Sequence, residues 1–322
     1  MKKLSLTFLL LFTIIVLLNS FKLYNTQQQQ AKLPVPMIFP KVVQGKSVFY
    51  IISEGNSDNF NTKLNLQNNI KADTQLIIYE CNPSNPLLKK VTDAPFSRIF
   101  FGACSEGDKI YIAGGFDIHW KPTNSVYEYN ITTKKWTTKK PMHLARANFA
   151  MERIGKNIYI LGGGNGKDFA EKYSIETDKW SILNINIKPK LETIFEVYAS
   201  TAIENKIFLF GKTSKEFQVF STESNSLEAG LSTPFTCEQF SITAFSKRIY
   251  LSGGTTEGIA SGKVYLYDYV ENAWSTVGKI PFPRFWSGLI SYNGMLIHLG
   301  GVNNNSVPYQ PTNEIYIYRP MR

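Results

Sequence analysis

From about residue 33 onward, short apolar runs of four to eight residues alternate with clusters of Gly, Asn, Lys and Ser. No stretch keeps an apolar stripe at helical spacing over three turns, so the pattern predicts an all-β fold. Several runs are copies of one another. Lys109-Ile-Tyr-Ile-Ala-Gly-Gly115 recurs as Asn157-Ile-Tyr-Ile-Leu-Gly-Gly163, as Arg248-Ile-Tyr-Leu-Ser-Gly-Gly254 and as Met295-Leu-Ile-His-Leu-Gly-Gly301. Lys206-Ile-Phe-Leu-Phe-Gly211 is a degraded copy. Separations of about 42 to 49 residues match one four-stranded propeller blade per copy.

A second feature follows each diglycine. Tyr129 precedes Trp136 by seven positions, and Tyr173 and Trp180, like Tyr267 and Trp274, keep that spacing. Phe220 and Leu227 keep it in the degraded copy. Seven positions put the two rings on consecutive strands across a turn such as 130–133, where both can fill the space between blades. Trp136, Trp180 and Trp274 are therefore expected to be largely buried. The diglycine marks a strand end that is too crowded for a Cβ or that needs positive φ.

This order of diglycine, tyrosine and tryptophan resembles the kelch repeat, over roughly residues 41–322. The match is specific in three blades, recognisable in the fourth and last, and poor in the first, where Val48–Lys90 carries Gly55 and Tyr79 but no tryptophan and a long insertion, 56–74. The count is six blades, so the expected fold is an all-β, six-bladed kelch-type β-propeller over 33–322. The last blade has only three strands before the chain ends. Residues 33–43 are the candidate for its fourth, a closure that joins the two ends of the chain and removes a free sheet edge.

Ahead of the propeller, Lys2 and Lys3 precede an apolar run from Leu4 to Leu18. At 1.5 Å per residue this run spans about 22 Å, short of the roughly 30 Å bilayer core. Residues 1–20 thus read as a signal peptide, or alternatively as a signal anchor through residues 4–18, and 21–32 as a polar linker. Both readings place the remainder in the secretory lumen or outside, secreted or held by a single membrane pass.

Lys and Arg number 35 against 25 Asp and Glu, a net charge of +10. The basic residues are dispersed, as in the pairs Lys89-Lys90, Lys134-Lys135 and Lys139-Lys140, which argues against nucleic-acid binding and suits either plain solvation or an anionic partner. Cys81, Cys104 and Cys237 are too few for a disulfide scaffold and read as small buried hydrophobes. Asn130 and Asn304 begin glycosylation sequons.

The chain has no nucleotide loop, zinc spacing or serine-hydrolase elbow. Gly162-Gly-Gly-Asn-Gly166 precedes no helical pattern. His119, His143 and His298 are the only histidines, and His298 falls inside a strand. No cofactor and no metal site are expected, and copper chemistry like that of galactose oxidase lacks its histidine cluster.

Because blade strands alternate in direction, the segment leading into each first strand shares one face with the loop after each diglycine. The resemblance implies that ligands bind on that face. Arg98, Arg146 and Arg284 each follow a proline there and match the arginine that opens many kelch blades, with Lys190 as a stand-in in blade four. They read either as interblade struts or as a funnel of guanidinium groups suited to carboxylates. His119 and Trp120 lie in the loop 116–123. Of Phe285 and Trp286, alternation puts one in the core and the other toward the channel. The loop 302–312, with Tyr309, is also exposed. The candidate ligand-binding set is Arg98, Arg146, Arg284, His119, Trp120 and Trp286.

The expected function is a non-enzymatic interaction module that recognises a protein, or an anionic small molecule or glycan, through one face. The absence of a BTB-like domain disfavours an intracellular ubiquitin-ligase adaptor. One alternative is a sugar-active enzyme similar to a bacterial sialic-acid mutarotase, with Arg146, Glu238 and His119 as acid–base candidates. Another is a structural subunit of a membrane complex held by its uncleaved leader.

Overall fold

The computed structural model describes residues 29–34, 36–54, 75–163, 170–188, 196–303 and 310–318. The leader, most of the linker, the insertion 56–74, Gly164–Gly166, Lys190, Asn304 and Tyr309 lie outside the described residues. Among the described residues no helix is long and apolar enough to cross a membrane.

Six antiparallel sheets of four main strands form the blades of a β-propeller. Blade one is Lys41–Gln44, Phe49–Glu54, Leu76–Asn82 and Asn85–Asp93. Blade two is Gly102–Glu106, Lys109–Ala113, Val126–Asn130 and Lys135–Lys139. Blade three is Ala150–Ile154, Asn157–Leu161, Ala170–Ser174 and Lys179–Leu183. Blade four is Ala199–Ile203, Lys206–Phe210, Phe217–Ser221 and Ser226–Ala229, with Asn186–Ile187 added parallel to its outer edge. Blade five is Ser241–Phe245, Arg248–Ser252, Lys263–Asp268 and Ala273–Lys279. Blade six is Gly288–Tyr292, Met295–Leu299 and Glu314–Tyr318, completed from the other end of the chain by Gln29–Lys32.

That completion corrects one expectation. The closing strand is Gln29–Lys32, paired antiparallel with Glu314–Tyr318, and not 33–43. Lys41–Gln44 instead opens blade one, pairing with Phe49–Ile52. Closure by the N-terminal segment therefore holds, but its strand comes from within the stretch read as linker.

The six first strands stand around the axis, each beside the next, and the ring closes between blades six and one. Each second strand has a blade on either side, so both of its faces are apolar. In blade two, Ile110 and Ile112 pack toward blade one while Tyr111 packs toward blade three. Among the described residues the core is six interblade clusters, one at each junction, with a smaller seventh of Phe285, Trp286 and Val302. Each fully buried Ile, Leu or Phe in them contributes about 1.5–3 kcal/mol.

The seven-residue spacing is a direct cross-strand pair in each copy: Tyr129 faces Trp136, Tyr173 faces Trp180 and Tyr267 faces Trp274. Phe220 faces Leu227 in blade four. The tyrosines are buried. The tryptophans are only partly buried, against the expectation, because they sit on outermost strands with one ring edge in solvent. Each indole N–H reaches back to the chain between blades, donating to the carbonyl of Asp93, Lys140 or Leu231.

Candidate functional site

The diglycines and the lead-ins to the first strands meet on one face of the disc. Gly115 N donates to Arg146 O of the following blade at 2.9 Å, and Gly254 N to Arg284 O at 2.8 Å. Gly301 N donates to Met37 O at 2.8 Å, repeating the latch between blades six and one. A Cβ on Gly114 would lie 2.6 Å from Arg146 O, and one on Gly253 would lie 2.5 Å from Arg284 O. These glycines also have φ of +58° and +70°. Backbone crowding between consecutive blades thus dictates the repeat signature.

The three arginines lie inside the blades they open. Arg146 and Glu171 are both 0% exposed and pair at 2.9 Å, while Arg146 Nη1 donates to Gly162 O at 2.8 Å. Arg284, 1% exposed, repeats this with Gly300 O at 2.9 Å and Glu314 at 3.0 Å, and its guanidinium lies over the Tyr316 ring. Arg98 is less buried and donates to Ser97 O and Ser125 Oγ. The side chains run back along the blade toward its third strand, and none of the three lines the central channel. The picture of a guanidinium funnel at the mouth is therefore corrected: in this geometry they brace the blade ends. A bidentate donor next to a strand-end carbonyl gains more from that internal acceptor and a buried carboxylate than from solvent.

Repeat alignment reveals a stand-in that residue type concealed. In blade five the corresponding position is Cys237, whose Sγ donates to Gly253 O at 3.2 Å. His143, in the lead-in to blade three, adds its backbone N–H and Nδ1 to Glu171 Oε2. The acid partner of Arg146 is thus Glu171, and Glu238 instead bridges Thr213 and Thr255.

Of the other candidates, His119 and Trp120 are exposed in the blade-two loop, where Asp117 accepts from the His119 and Lys121 amides. Trp286, 7% exposed, and Phe285 share one buried cluster with Val302, so both are core, and Trp286 also reaches the channel wall. Phe39, Phe100, Asn148, Gln239 and Trp286 occupy one equivalent position, just ahead of the first strand, in five blades, and all have φ of +52° to +56°. Phe39 joins the Trp286 ring at 4.9 Å and the Phe100 ring at 5.1 Å, so rings from three consecutive blades form an arc at the channel mouth. Phe116 and Trp120 continue it outward across the face. Trp286 belongs to the candidate set, whereas Phe39 and Phe100 do not; an offset of two positions from Arg98 and Arg284 marks Phe100 and Trp286, and Phe39 follows Met37 instead.

Below the mouth the channel encloses a cavity of 420 Å³. Lys41, Glu152, Ser200, Ser241 and Ser287 are on its wall. Ser200 Oγ donates to Glu152 Oε1 at 2.7 Å. The channel leaves Glu152 partly uncovered, but protein surrounds it on all sides, and this burial pushes its carboxyl up to about 7 despite Ser200 and Lys41. Burial lowers the Lys41 ammonium in turn, opposed by Glu152. His298 bonds the Ser287 hydroxyl, which shares a hydrogen bond with Ser241. Burial, then the nearby Arg284 charge, holds His298 neutral.

The Kelch motif model matches residues 97–143, 145–185 and 236–281, the stretches that carry blades two, three and five. The chain is 22% identical over 242 residues to Kelch-like protein 25 of Xenopus tropicalis, covering 70% of this chain and 40% of that protein. It is 24% identical over 220 residues to Kelch repeat and BTB domain-containing protein 2 of a cowpox virus, covering 67% and 33%. A putative F-box/kelch-repeat protein of Arabidopsis thaliana is 24% identical over 217 residues, covering 63% and 60%. The matched part is well under half the length of the first two relatives.

Proposed function

From the premise that this chain is a kelch-repeat β-propeller, we propose that it is an interaction module that holds a protein partner on the face carrying the lead-ins and the loops after the diglycines. One observation carries this reading. Of the ten large hydrophobic side chains exposed among the described residues, six lie on that face: Ile118, Trp120, Leu144, Leu231, Ile259 and Phe282. The other four, Leu87, Ile182, Phe245 and Val270, are spread over outer strands and the opposite face. Apolar side chains gathered on one face of a ring favour association there. The net charge of +10 adds long-range attraction for an acidic partner surface.

The experiment is affinity capture followed by cross-linking with three forms of the full chain. The wild type and Val270→Asp, on the opposite face, should retain the same partner, and the pair Trp120→Ala with Ile259→Asp should lose it. Equal loss in both variants, or in neither, overturns the reading. The apolar leader supports a position in the secretory lumen or outside the cell, free or anchored; N-terminal sequencing of the native protein tests it, and a mature terminus near Phe21 excludes a retained anchor.

A further inference from the structure

We propose that the mouth of the central channel is a separate binding site for a pyranose sugar, stacked on the half-buried rings of Phe39 and Phe100, which the buried Trp286 backs, and hydrogen-bonded by Asn148 and Tyr198 opposite. The inference goes beyond the face-binding reading and does not depend on it.

The first support is the backbone. The turn ahead of the first strand takes a left-handed conformation at the same position in five blades, so ring geometry imposes it. Asn148 in blade three suits that conformation, whereas a bulky aromatic is unfavourable there. Nevertheless, blades six, one and two all carry aromatic residues at this position. The turn does not select those rings; they pack on one another and together present an apolar wall to the channel.

The second support is the division of the wall. Trp286, Phe39 and Phe100 occupy the cavity wall of three consecutive blades, with neighbouring ring centroids 4.9 and 5.1 Å apart. Asn148 and Tyr198, from blades three and four, line the same cavity on the other side. Neither the Asn148 carboxamide nor the Tyr198 hydroxyl has a side-chain hydrogen-bond partner among the described residues. An amide offers two donors and an acceptor, and a phenol one donor and an acceptor. An aromatic wall facing a few convergent polar groups is the make-up of a small-molecule site.

The third support is the match of chemistry. A pyranose ring has an apolar C–H face and a rim of hydroxyls that both donate and accept. The face suits the arc and the rim suits Asn148 and Tyr198. Aromatic rings would also attract an organic cation, but the Lys41 ammonium lies on the same wall two residues beyond Phe39, which disfavours one. A proline-rich peptide would use the rings yet leave much of the polar wall unmatched.

The test is saturation-transfer NMR on the folded full chain with methyl glycosides of glucose, galactose and N-acetylglucosamine, and with a free proline-rich peptide as a fourth probe. The expected result is transfer to ring C–H protons of at least one glycoside, reduced at least fivefold in Phe100→Ala and in Asn148→Ala. Both sites are partly exposed, so these variants should stay folded, with a modestly lower melting temperature because alanine fits the left-handed turn less well than asparagine and Phe100 gives up its ring contacts. Leu144→Asp with Ile259→Asp, both on the face and outside the arc, should leave the sugar signal unchanged while removing protein capture, which separates this site from the face. No transfer to any glycoside, transfer to the peptide alone, or transfer unchanged in both mouth variants overturns the proposal.

Discussion

The Cys237 thiol donates to the Gly253 carbonyl at 3.2 Å, in blade five, and stands in the same relation to its diglycine as Arg146 does to Gly162. In both blades the donor precedes the carbonyl by sixteen residues. The blade end therefore needs a donor at this point rather than a positive charge. A guanidinium adds reach, so Arg146 and Arg284 also gather Glu171 and Glu314. A thiol satisfies only the carbonyl.

Burial pushes the Cys237 and Cys81 thiols up to about 12, and raises Cys104 as well. The nucleophilic thiolate is then scarce at neutral pH. A chromogenic thiol reagent at pH 8 should find no reactive cysteine in the native chain and three after denaturation. A native titre of one or more would show that a blade junction opens readily.

Removing one partner of a fully buried ion pair leaves the other charge without its counter-ion, at a cost of about 3–5 kcal/mol, here toward the lower end because the His143 backbone N–H and Nδ1 still reach Glu171. Arg146→Met should lower stability by that amount, and Arg146→Met with Glu171→Leu should recover part of it. Denaturant midpoints of the two variants measure the difference. If the single variant is as stable as wild type and only partner capture is lost, Arg146 acts in recognition and its ion pair is incidental.

The closing strand should matter to the whole ring, since it covers the Glu314–Tyr318 edge. Deleting residues 1–32 should cost several kcal/mol out of a typical ~5–15, lower the melting temperature and promote self-association through the freed edge. Thermal unfolding with light scattering reads both effects, and unchanged melting by a monomer argues that the ring closes without this strand.

Trp136, Trp180 and Trp274 are half-covered, so truncation to alanine should cost less than the ~3–5 kcal/mol of a fully buried tryptophan, about 2 kcal/mol each. Replacement by phenylalanine keeps the ring and removes the indole donor to Asp93, Lys140 or Leu231, at about 1 kcal/mol. Unfolding midpoints should rank wild type above phenylalanine above alanine in all three blades.

Glu152 should give the fold a pH dependence. Its carboxyl rises from the ordinary 4.5 to about 7 in the folded chain. Between these values the folded state keeps a proton that the unfolded state has lost, so stability falls as pH rises through the window. Glu152→Gln removes this effect. The variant should be more stable than wild type above pH 7, by on the order of 1–2 kcal/mol once channel solvent is allowed for, and the gap should close below pH 4.5. Chemical denaturation at pH 4, 6 and 8 measures it, and a gap that does not change with pH places the Glu152 carboxyl in ordinary solvent.

The sequence by itself determined the blade. Its repeat length, the Tyr129–Trp136 type of pair and the diglycines follow from contacts within one hairpin or between adjacent strands, which local spacing records. Only the tertiary structure decided where the arginines point, because a guanidinium after a proline fits a solvent funnel and a blade-end brace equally well until Gly162, Gly300 and the carboxylates of Glu171 and Glu314 are in place around it. It also decided which segment closes the ring. Gln29–Lys32 and Lys41–Gln44 are both short strands near the start of the chain, and pairing with Glu314–Tyr318, almost the full chain length away, selects the first. The arc of Trp286, Phe39 and Phe100 is the extreme case: these residues are neighbours only because the ring brings blade six beside blade one. Spacing along a chain reports what each blade does within itself, and the mouth of the channel is built from what the blades do to one another.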